Sequence, residues 1–169
     1  ARAMPGQGQP QWSAVEARTG KRERFIDART FGLSLGALLG GAEGIERALA
    51  DASAWTWNGT HTQFVVNVMN DLFAGGRDGV CKRLTETPDE PEVGVHFSPD
   101  GTWVSFIAHY DLHVVPAASG ASKALTKGGH DDLFFGRLDW VYQEELYGRG
   151  NFEGYWWSPD SKRIALLKL

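Results

Sequence analysis

The feature that most constrains the fold is a phrase that occurs three times along the chain. An aromatic residue is followed by a short turn and then by a strand of alternating apolar residues. The phrase begins at Phe97, at Trp157 and, in a degenerate form, at Trp57. The two clear copies carry Ser-Pro-Asp in the turn, where proline fixes φ, and we expect Gly101 and Gly59 to supply positive-φ positions of tight hairpins. The chain therefore predicts a series of similar β-hairpins.

The later part of each unit repeats as well. Residues 71–73 (Asp-Leu-Phe) match residues 111–113 (Asp-Leu-His), and residues 82–85 match residues 123–126 around a shared Leu-Thr pair. Leu84 and Leu125 lie 41 residues apart, and the turn residues Asn58 and Asp100 lie 42 residues apart. A period near 40 residues with about four strands per unit is typical of a β-propeller blade.

The predicted fold class is all-β, a partial β-propeller of about three blades made of four-stranded antiparallel sheets. The next interval, from Asp100 to Asp160, is 60 residues, which indicates an insertion of about 18 residues at a place where repeat folds often carry function. Residues 45, 48 and 49 are apolar at helical spacing, which predicts a short amphipathic helix on the rim. The predicted segments are 12–27, the end of a blade; 33–52, a helical insertion; 55–88, a blade; 93–130, a blade; 131–153, an insertion with a double-Glu motif, called here the functional insertion; and 154–169, the start of a further blade.

Composition excludes several other classes. Hydrophobic residues make up 42% of the 169 residues, and the seven Trp, nine Phe and four Tyr suit pleated sheets. The net charge of −4 comes with interspersed acids and bases, so no basic stripe exists to hold a nucleic acid. No apolar run approaches the roughly 18 residues of a membrane span. The single cysteine, Cys81, excludes a disulfide framework within the chain.

Two adjacent carboxylates, Glu144 and Glu145, lie among aromatic residues in the functional insertion. Neighbouring acids in a partly dry place suit a bound cation, because charge-assisted hydrogen bonds are stronger there. A primary ammonium has three donors, and two carboxylates can accept all of them. The alternative is that the pair belongs to an ordinary solvated helical turn, where charged residues usually lie.

The residues around this pair resemble the dipeptidyl peptidase IV family. Residues 139–145 read Asp-Trp-Val-Tyr-x-Glu-Glu, and residues 156–160 read Trp-Trp-Ser-Pro-Asp. The resemblance implies that Glu144 and Glu145 lie on a short helix projecting from the propeller and bind the free α-amino group of a peptide substrate. Peptide N-termini are therefore the expected partners, and dipeptides the expected product. Supporting residues expected from the same segment are Trp140, Tyr142 and Arg137.

The resemblance also implies what lies elsewhere. The catalytic Ser, Asp and His belong to a C-terminal α/β-hydrolase domain of the parent chain, so we expect no catalytic residue, metal or cofactor in these residues. The family suggests an exported or periplasmic protein and allows a homodimer of the parent. In one place the sequence departs from the family: residues 85–92 contain no Arg to bind the substrate carbonyl. Arg83, Arg77 and Arg137 are candidates to replace it, or the contact is missing.

Three further patterns have ordinary explanations. Residues 32–36 read Gly-x-Ser-x-Gly, but no buried strand precedes them as a nucleophile elbow requires. His109, Asp111 and His113 alternate along one predicted strand, so all three are expected on one face, where they could bind zinc, although ordinary blade positions explain them better. Asn58 begins a glycosylation sequon, and its place in the repeat predicts a hairpin turn.

Two other functions are alternatives to this one. A non-catalytic propeller that binds proteins or ligands as a scaffold would also show these repeats, and it would tolerate Glu144→Gln and Glu145→Gln. An oligopeptidase or acylaminoacyl peptidase is disfavoured, because those relatives lack the two adjacent glutamates.

Overall fold

The computed structural model describes residues 12–40, 55–87 and 89–169, and these residues form mainly short antiparallel strands. In chain order the elements are β1 Ser13–Val15, β2 Arg22–Arg24, α1 Ala28–Leu39, β3 Trp55–Trp57, β4 Gln63–Val68, β5 Asp71–Gly76, β6 Cys81–Arg83, β7 Val93–Phe97, β8 Trp103–Ala108, β9 Asp111–Pro116, β10 Lys123–Ala124, a π-helical turn Tyr142–Leu146, β11 Tyr155–Trp157 and β12 Ile164–Leu166. In the described part of the chain, no helix has the length and apolarity needed to cross a membrane.

Two four-stranded antiparallel sheets form the centre of the structure. The first has the order β3-β4-β5-β6 and the second the order β7-β8-β9-β10, so each strand pairs with its neighbour in sequence. The first strands of the two sheets, β3 and β7, lie against each other. Strands β1 and β2 form one further hairpin, and β11 and β12 form another. The predicted class, all-β with four-stranded antiparallel sheets, is confirmed.

The three copies of the repeated phrase form equivalent turns. In each copy the fourth turn residue has positive φ, and its amide donates to the carbonyl three residues earlier; these residues are His61, Gly101 and Ser161. The prediction for Gly101 is confirmed, with φ of 75°, whereas the prediction for Gly59 is wrong because His61 takes the left-handed conformation in that copy. Asn58 is buried, and its side-chain oxygen accepts backbone amides of the turn, so it serves as a hairpin residue.

The second repeated element is held by the same hydrogen bonds in both sheets. The amide of Leu72 donates to the Thr85 hydroxyl at 2.8 Å, and the amide of Leu112 donates to the Thr126 hydroxyl at 2.9 Å. In each unit the aspartate before the leucine accepts a backbone N–H from the segment that follows the threonine. The sequence repeat therefore encodes how the outermost strand of each sheet is fastened to the strand before it.

Helix α1 covers one side of the first sheet. Asp27 begins the helix by accepting the Thr30 amide at 3.1 Å, and Gly40 ends it with φ of 69°. The buried side chains of Phe31 and Leu35 join the core of the first sheet. The sequence predicts a helical insertion at 33–52, whereas α1 covers Ala28–Leu39. The amphipathic run near residue 45 lies outside the described residues.

The Gly-x-Ser-x-Gly pattern lies inside α1, not at a turn between a strand and a helix. The Cys81 amide donates to Ser34 Oγ at 2.9 Å, and the Ser34 hydroxyl faces the Cys81 carbonyl at 3.4 Å. Ser34 therefore joins the helix to β6, and its hydroxyl is occupied by that structural role.

Candidate functional site

The two ends of the functional insertion are joined where residues 136–138 pair with residues 152–154. The Leu138 amide donates to the Phe152 carbonyl and the Gly154 amide to the Gly136 carbonyl, each at 2.8 Å, and Arg137 pairs with Glu153 in an antiparallel bridge. These bonds close the base of an excursion that spans residues 138–152. The carboxylate pair is thus carried on a segment with a defined, hydrogen-bonded base.

Glu144 and Glu145 lie on the π-helical turn Tyr142–Leu146, called here the double-Glu turn. The turn begins where Asp139 Oδ1 accepts the Tyr142 amide at 2.9 Å, and it closes where the Tyr147 amide donates to the Tyr142 carbonyl at 2.9 Å. Between the two acids and the tyrosine, Gln143 is buried and accepts the Gly150 amide at 2.6 Å. Single π-helical turns are often found at functional sites.

The two glutamates have different surroundings. Glu144 is one-third exposed, and its Oε1 lies 2.8 Å from the guanidinium of Arg149, which is 83% exposed. Glu145 is exposed, and no other residue of the described ranges forms an ion pair or hydrogen bond with its carboxylate. The turn therefore presents one carboxylate already bound to a solvated cation and a second one that faces solvent.

The predicted supporting residues are not gathered around the carboxylates. Trp140 is 66% exposed, and Tyr142 holds the turn through its backbone. The Arg137 guanidinium lies over the ring of Tyr110, 5.7 Å from its centre. Within the described residues, neither glutamate forms an ion pair with Arg137.

The arginines considered for the carbonyl contact are engaged elsewhere. Arg83 forms ion pairs with Asp71 and Glu86. Arg77 donates to the His61 carbonyl at 2.9 Å and lies over the ring of Phe25. Among the described residues, Arg149 is the arginine that forms an ion pair with the double-Glu turn.

A buried glutamate that the sequence analysis did not single out occupies the end of residues 85–92. Glu92 is 3% exposed, and its two carboxylate oxygens accept the hydroxyls of Thr85 at 2.8 Å and Thr87 at 2.9 Å. Burial raises the pKa of Glu92 to about 7, against the opposing effect of the two threonine hydrogen bonds. The residue lines a cleft of about 480 Å³ beside β3 and β7.

The possible zinc residues are separated by the fold. The expectation that His109, Asp111 and His113 share one strand face is wrong, because His109 lies in the two-residue turn before β9 with φ of 49°. His109 faces Glu90, Asp111 accepts from Thr126 and Gly129, and His113 stacks on Phe106. Among the described residues, no three His, Cys, Asp or Glu side chains are grouped as metal ligands would be.

Repeated four-stranded meanders with equivalent turns define part of a β-propeller. A crystal structure of Porphyromonas gingivalis dipeptidyl peptidase 4 matches 63% of the chain with a TM-score of 0.50 and 21% identity, and the match covers 16% of that protein. This likeness supports the fold.

The family model described as the dipeptidyl peptidase IV N-terminal region matches residues 49–169, and the chain belongs to that family. It is 32% identical over 89 residues to dipeptidyl aminopeptidase A of Saccharomyces cerevisiae and 34% identical over 84 residues to dipeptidyl-aminopeptidase B of Aspergillus niger. These matches cover 49% and 48% of the chain and 9% of each relative. The chain thus spans about a tenth of the length of these relatives, and the predicted family is confirmed.

Proposed function

We propose that this chain is the substrate-gating propeller portion of a dipeptidyl peptidase IV-like serine peptidase, in which Glu144 and Glu145 bind the protonated N-terminus of a peptide. The observation that carries the proposal is the double-Glu turn, where two successive carboxylates stand at the end of a hydrogen-bonded excursion. The family, and relatives named as dipeptidyl aminopeptidases, favour the same assignment.

The chemistry of the turn suits an ammonium ligand. Glu144 already accepts a cationic donor from Arg149, so its carboxylate is oriented to do so. An exposed ion pair of this kind contributes only about 0–1 kcal/mol, so an incoming ammonium displaces or joins the guanidinium at little cost. Glu145 supplies the second acceptor. Together the two carboxylates accept the three N–H donors of a primary ammonium.

The complete enzyme would combine this clamp with a catalytic centre on a C-terminal α/β-hydrolase domain of the parent chain. A Ser nucleophile there would attack the peptide carbonyl that lies two residues from the bound N-terminus, and a dipeptide would be released after acyl transfer. In this scheme the propeller selects substrates by their free amine and supplies no reacting group.

The test uses the natural polypeptide that carries these residues and two pentapeptides, one with a free N-terminus and one N-acetylated. Calorimetric titration should show binding of the free-amine peptide alone. Glu144→Gln and Glu145→Gln should each weaken that binding about tenfold or more, since hydrogen bonds between charged groups contribute roughly 1.5–3 kcal/mol. Asp132→Asn, which changes an exposed carboxylate of the same insertion, is the matched control.

The pH dependence supplies a second readout. Binding should weaken as the pH rises beyond the amine's pKa of about 7.7–8.0, because the neutral amine lacks the charge that the carboxylates recognise. An affinity that is independent of pH, or two Gln variants that bind as the wild type does, would leave a scaffold propeller as the better explanation of the chain.

A further inference from the structure

Strand β11 follows the functional insertion directly and anchors it to the second sheet. Alternate residues of a strand point to the same side, and Tyr155 and Trp157 both reach the second sheet. The Tyr155 hydroxyl donates to the Gly94 carbonyl and contacts Ser105 Oγ at 3.1 Å, while Trp157 Nε1 donates to the same Ser105 Oγ at 2.8 Å. Tyr155 is 3% exposed, so this contact is part of the core.

Glu153 continues the same alternation and lies at the base of the excursion. Its Oε2 is 2.5 Å from Nε2 of His96 on β7, and the hydrogen bond with His96 lowers the pKa of Glu153 despite partial burial. The ring of His96 also packs edge-on against Tyr155 at 5.6 Å. Because the backbone of Glu153 pairs with Arg137, the His96–Glu153 contact ties both sides of the base to the neighbouring sheet.

The intervening residue of β11 contacts the far end of the excursion. Trp156 points away from the second sheet, is 47% exposed, and its ring lies 6.2 Å from the ring of Tyr147, which directly follows the double-Glu turn. Residues 153–157 therefore meet the excursion at two places, at its base through Glu153 and beside the double-Glu turn through Trp156. A movement of the base would therefore move the carboxylates through Trp156 and Tyr147.

We propose that His96 and Glu153 are positioning residues for Glu144 and Glu145: their contact fixes the base of the insertion to β7 and so fixes where the carboxylates stand. The inference rests on the proposed function, because it concerns the same site. Neither residue touches the peptide amine in this scheme. Their effect is geometric, since displacements of about 1 Å at a binding group are enough to lower activity strongly.

The His96–Glu153 contact is called here the tether. The first part of the test measures, without any ligand, whether the tether holds the base of the insertion in place. Hydrogen exchange is followed at the Leu138 and Gly154 amides, which close the base, in the natural full-length polypeptide. His96→Ala should accelerate exchange at both amides by about fivefold, the amount expected for a half-exposed pair. His96→Gln should restore protection, because its side-chain amide can still donate to Glu153.

His109→Ala is the matched control. His109 forms a second histidine–glutamate contact, with Glu90 at 3.3 Å, and neither of these two residues is among those that close the base of the insertion. The control should leave exchange at Leu138 and Gly154 as it is in the wild type. Equal exchange in His96→Ala and the wild type would overturn the tether.

The second part asks whether the tether serves binding. His96→Ala should weaken binding of the free-amine pentapeptide about fivefold while His96→Gln restores it, and adding Glu153→Ala to His96→Ala should cause little further loss because the contact is already broken. Faster exchange with unchanged affinity would refute positioning. If Glu144→Gln and Glu145→Gln leave amine binding intact, the proposed function fails, while the exchange result still decides the tether.

Discussion

Replacing Glu92 with Gln should change how the stability of the protein depends on pH. The carboxyl is 3% exposed, and burial raises its pKa from an ordinary 4.5 to about 7. The folded state therefore binds this proton more tightly than the unfolded state does. Stability from this group is greatest below pH 4.5, falls as the pH rises towards 7, and is constant above that. Glutamine resembles the protonated acid in size and has no such titration.

The size of the effect follows from the shift. A raised pKa of about 7 makes the free energy of unfolding fall by about 2–3 kcal/mol between pH 5 and pH 8 through this group alone. Glutamine can keep both contacts, because its oxygen accepts from Thr85 and its amide donates to the partly exposed hydroxyl of Thr87. We therefore expect the unfolding free energy of Glu92→Gln, relative to that of the wild type, to rise by about 2–3 kcal/mol between pH 5 and pH 8.

The assay is urea denaturation at pH steps from 5 to 8, with the wild type and the variant compared at each pH. The comparison matters because His113 has a pKa lowered by burial, and its titration tilts the wild-type profile in the opposite direction. Glu86→Gln is the matched control, since it changes an exposed carboxyl of the same segment. A difference between Glu92→Gln and the wild type that stays constant across the range would refute the argument from burial.

Two further substitutions test the contacts of α1. Gly79→Ala should destabilise the protein by more than the roughly 1–2 kcal/mol that a left-handed alanine costs, because its Cβ would lie 2.4 Å from the Asp27 carbonyl oxygen. Gly20→Ala is the control for the conformational cost alone, since Gly20 has a similar φ and nothing within 4 Å of its Cβ position. Equal losses of unfolding free energy for the two variants in urea denaturation would refute the steric reason. Ser34→Ala should lower the unfolding free energy by about 1 kcal/mol, because it removes the hydrogen-bond partner of the Cys81 amide. It should leave any peptidase activity intact. Loss of activity in a stably folded variant would contradict a purely structural role of Ser34.

Much of the fold could be predicted because the repeat encodes local hydrogen bonds. The Ser-Pro-Asp turns and the Leu-Thr pairs each make the same contacts wherever they occur, so their spacing reveals the units. The start of α1 had a local signal too, an Asp27 cap followed by Phe31 and Leu35 at helical spacing. The apolar spacing of residues 45, 48 and 49 placed the predicted helical segment further along the chain.

The errors come from positions where the backbone conformation is set by the sheet. His109 and Tyr110 adopt positive φ in a two-residue turn, as Met69 and Asn70 do in the first sheet, although none of the four is a glycine. The paired flanking strands impose this conformation. The conformational preferences of the residues in the turn do not indicate it, so the predicted strand extends through His109.

The details of the site depend on contacts between distant parts of the chain. The double-Glu turn was visible in the sequence because its residues are consecutive. His96 and Glu153 are 57 positions apart, and no local sequence pattern links the two residues. Glu92 has the same character, since its backbone carbonyl accepts from the side-chain amide of Asn67, 25 positions earlier in the chain. Such pairings become visible only when the strands are assembled.

The position of α1 also bears on how the protein avoids aggregation. Strand β6 is outermost in its sheet, and an outermost strand offers free backbone groups to other molecules. Ser34 engages both the amide and the carbonyl of Cys81 on that strand, so the helix blocks intermolecular pairing there. The second sheet avoids intermolecular pairing in a different way. Its outermost strand, Lys123–Ala124, is only two residues long and therefore offers few backbone groups to another strand.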